Sequence, residues 1–227
     1  MDRELTPAIE DYLKVIWASG EWTDTPCTVG ALARQLGLSP SSVSETIKRL
    51  AGQGLVEHEP YRGIRLTAAG EKVAVAMVRR HRILETYLVQ TFGYSWDEVH
   101  DEAEQLEHAA SDRLIDAMDE ALGHPTTDPH GDPIPRADGS MPPVGAPDLV
   151  PLTVLDVDEK AEIKRISDAE PELLRWCTEH GLVLGAHVRV VGMIPGAQQI
   201  HVEVAGVSLG LSATAAGALW VSREGSI

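Results

Sequence analysis

Between residues 28 and 66 the chain carries a punctuation that few folds accommodate. A helix reads from Thr28 to about Leu36, Gly37 breaks it, and Ser39-Pro40 starts another that lasts until Gly54. An earlier helix has Thr6 as its N-cap and Pro7 at its first position, with Ile9, Leu13 and Ile16–Trp17 as its buried stripe. In the helix after Ser39, Val43, Ile47 and Leu50 recur at steps of four and three, so they face inward. Ser41, Ser42, Ser44, Glu45, Lys48 and Arg49 are left outward. The segments LVEHE and GIRLT then flank Pro60-Tyr61-Arg62-Gly63, which reads as a two-stranded ribbon with Arg62 at its tip and Arg65 beside it. Two helices and a ribbon in this order make a winged helix-turn-helix. Its groove and phosphate candidates are Arg34, Ser39, Pro40, Ser41, Ser42, Ser44, Lys48, Arg49, Arg62 and Arg65.

A formal charge of −16 is unfavourable for a phosphate-binding chain, so the location of the charge matters more than its sum. Residues 34–65 set five cations, Arg34, Lys48, Arg49, Arg62 and Arg65, against Glu45, Glu57 and Glu59. Residues 97–120 instead hold ten acids and one cation, Arg113. Divalent cations bound there would offset the local repulsion and favour association with DNA. At 227 residues the chain is long enough for real cores. No apolar run approaches membrane-spanning length and the N-terminus lacks signal-peptide order, so the expected address is cytoplasmic with no membrane partner. Cys27 and Cys177 stand far apart without a CxxC, which argues against a disulfide framework or a structural zinc site.

Within that acidic region lies the chemistry. A long helix is expected from Ala68 to about Phe92, and after Gly93-Tyr94 another from a Ser95/Glu98 capping box to Gly123. His81 and Glu85 are four apart on the first, while His100, Glu104, Glu107 and His108 follow at steps of four, three and one on the second. Each set falls on one helix face, so two helices can present ligands to a metal. The second stripe lies beside an apolar seam of Val99, Ala103, Leu106, Ala110 and Leu114, where unsatisfied charge is costly. Such long amphipathic helices call for a second copy of the chain, and a dimer suits a palindromic operator.

Past Gly123 a Pro-, Gly- and Asp-rich segment to about Pro147 reads as a linker, with His124 and His130 expected in solvent. Beyond it LTVLDV, AEIKRI, HVRVVGMI, QIHVEVAG, VSLGL and LWVSRE read as short strands, with a helix at about 169–180. They suit a small barrel.

The winged helix, the His81/Glu85 pair, VHDEAEQLEH and HPTTDPHGDPIP resemble the diphtheria toxin repressor family of metal-activated bacterial repressors over nearly the whole chain. The resemblance implies a mainly α N-terminal half with a small β-rich, SH3-like C-terminal domain. Its divisions fall at 1–72 (DNA binding), 73–146 (metal binding and dimerisation, with the Pro-rich linker from about 124) and 147–227 (SH3-like). It implies a primary site of Asp11, Glu104, Glu107 and His108, and an ancillary site of His81, Glu85 and His100 with Asp168 and Glu170 the nearest counterparts of its C-terminal ligands. Iron-type members place methionine and cysteine where Asp11 and Glu104 stand, and an all-oxygen-plus-imidazole set suits Mn²⁺. Lys14 stands where short manganese regulators carry a carboxylate, so two separated sites are expected rather than a bridged pair. The implied function is a Mn²⁺-activated, homodimeric DNA-binding repressor of metal-homeostasis genes, with no small organic ligand and no catalysis. The alternatives are an Fe²⁺-dependent repressor, a two-metal hydrolase and a winged-helix sensor of a small organic molecule.

Overall fold

The structure, a computed structural model, describes residues 5–22, 26–59, 63–142 and 149–224. Its helices are α1 (Pro7–Glu21), α2 (Val29–Gln35), α3 (Pro40–Gly52), α4 (Ala68–Tyr87), α5 (Val99–Leu106), α6 (Asp112–Ala121), α7 (Pro171–Glu179) and α8 (Ala213–Gly217). Its strands are β1 (Val56–Glu59), β2 (Gly63–Leu66), β3 (Leu149–Pro151), β4 (Lys160–Ile166), β5 (His187–Ile194), β6 (Gln199–Val204), β7 (Val207–Ser212) and β8 (Leu219–Arg223). They form two compact units, one of residues 1–81, 106–116 and 135–140, the other of residues 82–105, 117–134 and 141–227.

The first unit is built on one apolar cluster in which Ile9, Leu13 and Ile16 of α1 join Leu32 of α2 and Val43, Ile47 and Leu50 of α3. The inward spacing read from α3 therefore holds, and all three of its residues are fully buried. Ser39 caps α3 by accepting from the Ser42 amide, and Thr28 caps α2 by accepting from the Ala31 amide. Thr6 occupies the N-cap position of α1 without a side-chain cap bond, so Pro7 at the first position sets that start. Strands β1 and β2 pair antiparallel from Val56/Leu66 to Glu59/Gly63, which is the expected ribbon. Its tip, with Arg62, lies outside the described residues.

The second unit contains an antiparallel sheet whose described strands run β3-β8-β4-β5-β6-β7. Alternation in β6 buries Ile200, Val202 and Val204 against a core that includes Ile163, Leu174, Leu182 and Val221. The first expected strand is misplaced: Leu149–Pro151 is extended, whereas Leu152–Val154 turns as a 3-10 helix. Glu170 stands at the N-cap of α7 and makes no side-chain cap bond.

Two further expectations are corrected. The helix expected from Ser95 to Gly123 is two, because the chain turns between Leu106 and Asp112, where the Leu106 carbonyl accepts from the amides of both Ala109 and Ala110. Ser111 restarts the helix, its hydroxyl accepting from the Leu114 amide. The Ser95 hydroxyl donates to the Glu98 carboxylate instead of capping a backbone amide. The supposed linker is also ordered over its described part, and residues 130–135 are buried. The Asp128 carboxylate accepts from the amides of His130 and Asp132 at 2.9 Å each, folding Asp-Pro-His-Gly-Asp into a side-chain-nucleated turn. That turn is pinned in the second unit by the Ile166 amide donating to the His130 carbonyl at 3.0 Å and by Arg165 reaching Asp132 at 2.6 Å. Gly131 passes at φ +90, and an added Cβ would lie 2.1 Å from the Lys164 carbonyl oxygen.

Candidate metal centre and DNA face

In the first unit the break after α5 turns Glu107 and His108 off the helix and toward α1. Asp11, Glu107 and His108 thereby place one ligand-type atom each within 4.8 Å of one another. His108 Nε2 lies 2.9 Å from Asp11 Oδ1 and 3.7 Å from Glu107 Oε1, while its Nδ1 lies 2.8 Å from Glu10 Oε2. Glu107 is fully buried, with Lys14 Nζ at 2.7 Å from one oxygen and His81 Nδ1 at 2.6 Å from the other. Burial opposes the charge on Glu107, but His81 and then Lys14 outweigh it and hold the carboxyl below the usual glutamate range. Burial likewise opposes a charged His108, and Glu10, Asp11 and Glu107 outweigh it, so the imidazole sits above its ordinary value. Protons and an ammonium thus compensate carboxylates that a divalent cation can also compensate.

The second unit gathers another set. His100 Nδ1 lies 3.1 Å from Asp168 Oδ2 and 3.4 Å from Glu85 Oε1, and its Nε2 is 3.8 Å from Glu104 Oε1. Burial disfavours a charged His100, yet hydrogen bonds to Asp168 and Glu85 push it up to about 10. Asp168, which the sequence linked to the site through resemblance alone, does reach His100. Glu104 is not in the group formed by Asp11, Glu107 and His108, and within the second unit it approaches His100. Glu170 is not among the grouped ligands either.

His130 was expected in solvent and is fully buried, whereas His124 is exposed as expected. Glu85, Asp128 and His130 form a third cluster of ligand-type atoms, all within the second unit. His130 Nε2 donates to the Trp96 carbonyl at 2.7 Å, which leaves the Nδ1 lone pair facing Glu85 Oε2 at 3.8 Å. No hydrogen bond satisfies that buried Nδ1 among the described residues. Burial, then Asp132 and Glu85, push the Asp128 carboxyl well above its ordinary value. A cation between these groups would relieve both conditions, so the donor set fits a metal. Sequence reading missed Asp128 and His130 because their segment looked like a linker. The signal was present: Asp-x-His with a flanking glycine marks a turn that presents both side chains together.

On the DNA face, Arg34, Ser39, Pro40, Ser41, Ser42, Lys48, Arg49 and Arg65 are exposed and Ser44 is half-buried. The Ser39 hydroxyl is engaged with Ser41 and Ser42 at 2.9 Å each, so its role in the free protein is to organise the start of α3.

Family profiles match three consecutive segments: "Iron dependent repressor, N-terminal DNA binding domain" over residues 4–64, "Iron dependent repressor, metal binding and dimerisation domain" over 67–136, and the FeoA domain over 150–223. The iron-dependent repressor IdeR of Mycobacterium tuberculosis is 33% identical over 202 residues, covering 86% of this chain and 84% of its own. A solved manganese-dependent transcriptional repressor in complex with manganese is 45% identical with TM-score 0.89, over 95% of this chain and 99% of its own. The manganese regulator SloR is 30% identical with TM-score 0.83, over 97% and 100%. These relatives are named as repressors or as a regulator, and the first profile is a repressor's DNA-binding domain, which favours transcriptional repression over the hydrolase alternative. With a winged helix matched to one domain profile and the ligand-bearing helices to the next, the chain belongs to the diphtheria toxin repressor family: it is a homodimeric, metal-dependent transcriptional repressor that binds operator DNA.

Proposed function

We propose that the activating ion is Mn²⁺ and that the regulated genes control manganese uptake. The observation that carries the metal identity is the donor set: Asp11, Glu107 and His108 gather oxygen and imidazole with no sulfur. Both cysteines are buried in the apolar clusters of their units, and neither joins a group of ligand-type atoms among the described residues. Hard donors without thiolate or thioether suit Mn²⁺, the weakest binder of its series, where softer ligands select other metals. Likeness to a manganese-bound repressor supports the same reading. We assign Asp11, Glu107 and His108 to a primary site, and Glu85, His100 and Asp168 to an ancillary one. The family resemblance adds Glu104 to the first and His81 to the second, and Asp128 and His130 extend the set around Glu85.

A divalent ion supplies compact positive charge that holds these carboxylates and imidazoles together. The chain's own residues convert that into DNA affinity. Asp11 lies on α1, whose Ile9, Leu13 and Ile16 share a core with Val43, Ile47 and Leu50 of α3. Fixing Asp11 to Glu107 and His108 therefore constrains the helix that carries Ser41, Ser42, Lys48 and Arg49. The population shifts toward one placement of the two recognition helices in the dimer, matched to a palindrome in the bacterial cytoplasm.

The test is fluorescence anisotropy with the chain's own upstream DNA after chelation, titrated separately with Mn²⁺, anaerobic Fe²⁺ and Zn²⁺. Activation by Mn²⁺ at concentrations where Fe²⁺ does little is expected, and Asp11→Ala should remove it. Equal or better activation by Fe²⁺ would move the protein to the iron-responsive branch, to which the mycobacterial relative gives weight.

A further inference from the structure

Glu10 belongs to neither of the two proposed ligand sets, yet it makes one of the short contacts to the primary site. His108 is gripped at both ends of its ring by neighbours in sequence, Glu10 at Nδ1 (2.8 Å) and Asp11 at Nε2 (2.9 Å). Glu107 Oε1 approaches the Nε2 end as well, at 3.7 Å. The other ligand-type oxygens of the trio thus cluster at Nε2, and the Nδ1 end faces Glu10. An imidazole that binds a cation through one nitrogen carries its proton on the other. In His108, whose side chain is only 18% exposed, that N–H needs an acceptor.

We infer that Glu10 is a positioning residue for metal binding: its carboxylate accepts from His108 Nδ1–H, fixing the tautomer that leaves Nε2 for the cation. This rests on the reading of Asp11, Glu107 and His108 as a divalent-cation site. A carboxylate behind a metal-binding histidine sets the ring's orientation and makes the opposite nitrogen a stronger donor, and its loss weakens metal affinity by about 10–100-fold. Adjacent positions on α1 can do both jobs because successive helical side chains diverge by about 100°, so the two carboxylates straddle one ring.

The experiment uses the full-length, chelator-stripped protein and its Glu10→Gln, Glu10→Ala and Asp11→Ala variants. Mn²⁺ affinity is read by electron paramagnetic resonance, and the His108 ring by long-range ¹H–¹⁵N spectra of the Cd²⁺-loaded, ¹⁵N-histidine-labelled protein. Expected are a metal-shifted Nε2 with a protonated Nδ1 in the parent, and about 10–100-fold weaker Mn²⁺ binding in Glu10→Ala. Glu10→Gln, whose amide oxygen still accepts, should keep the tautomer and lose less affinity. Should Glu10→Ala fail to fold by circular dichroism, Glu10→Leu, which fills the space without an acceptor, decides in its place, and Mn²⁺ affinity within twofold of the parent there overturns the inference. Metal found on Nδ1, or Glu10→Ala within twofold of the parent while Asp11→Ala is impaired, overturns it and leaves the metal site standing. If the parent shows no shift at His108 and Asp11→Ala changes nothing, the metal-site reading itself fails and takes this inference with it.

Discussion

Glu107 concentrates the electrostatics of the first unit, because a fully buried carboxylate there is held by one lysine and one histidine. Breaking such a buried pair leaves uncompensated charge, so Lys14→Met should destabilise the chelator-treated protein by about 3 kcal/mol in urea unfolding. The sign with pH follows from the carboxyl lying below its ordinary value when folded. Its contribution is present above the unfolded value and is lost as pH falls through the folded one, so the parent should lose stability on acidification more steeply than Lys14→Met. A Lys14→Met variant as stable as the parent would contradict this account of the pair. Elsewhere, burial pushes the Cys177 thiol up to about 11, which leaves on the order of 0.1% thiolate at pH 8. Native protein should react with a disulfide reagent at neither cysteine until denatured, since Cys27 is buried and raised too. Rapid native labelling of Cys177 would show that its environment opens.

Among the elements, the strands were the most legible, because β5, β6, β7 and β8 alternate apolar and polar residues between turn signals and appear where that pattern places them. The break between α5 and α6 left no such mark. Glu-His-Ala-Ala-Ser contains neither glycine nor proline, and the apolar spacing continues through it from Leu106 to Ala110 and Leu114. The helix yields there in the structure, where Glu107 leaves the helical ladder to meet Lys14 and His81 while Ser111 recaps the next turn. Composition misled in the opposite direction over residues 124–142, since proline and glycine punctuate an ordered turn as readily as a loose linker. That turn depends on Gly131, whose missing Cβ makes room for the Lys164 carbonyl. Gly131→Ala should cost at least about 2 kcal/mol through clash and positive φ together. It should also disturb metal binding around His130, read as Cd²⁺-induced shifts of the His130 ring, whereas unchanged shifts would detach the turn from the metal centre.

For the whole molecule, a net charge of −16 has to coexist with binding a polyanion. The cations of α3 and the wing must therefore act locally, and their effect is measurable as salt dependence. Arg49→Ala, counted in both protomers, should lower the slope of log affinity against log salt by about 2 while weakening binding similarly across sequences. An unchanged slope would place Arg49 off the phosphates. The sequence by itself determined the winged helix, the β-rich C-terminal part, the acidic ligand-rich region and the family, because periodicity, capping and turn chemistry are local and survive in one dimension. Only the tertiary structure decided that Glu10 and Asp11 take opposite ends of His108, that Lys14 shares Glu107 with His81, and that Asp128 and His130 join Glu85. Those contacts join residues up to 98 positions apart. They are set by how buried charges find compensation once the chain is packed, and spacing along the sequence does not encode that.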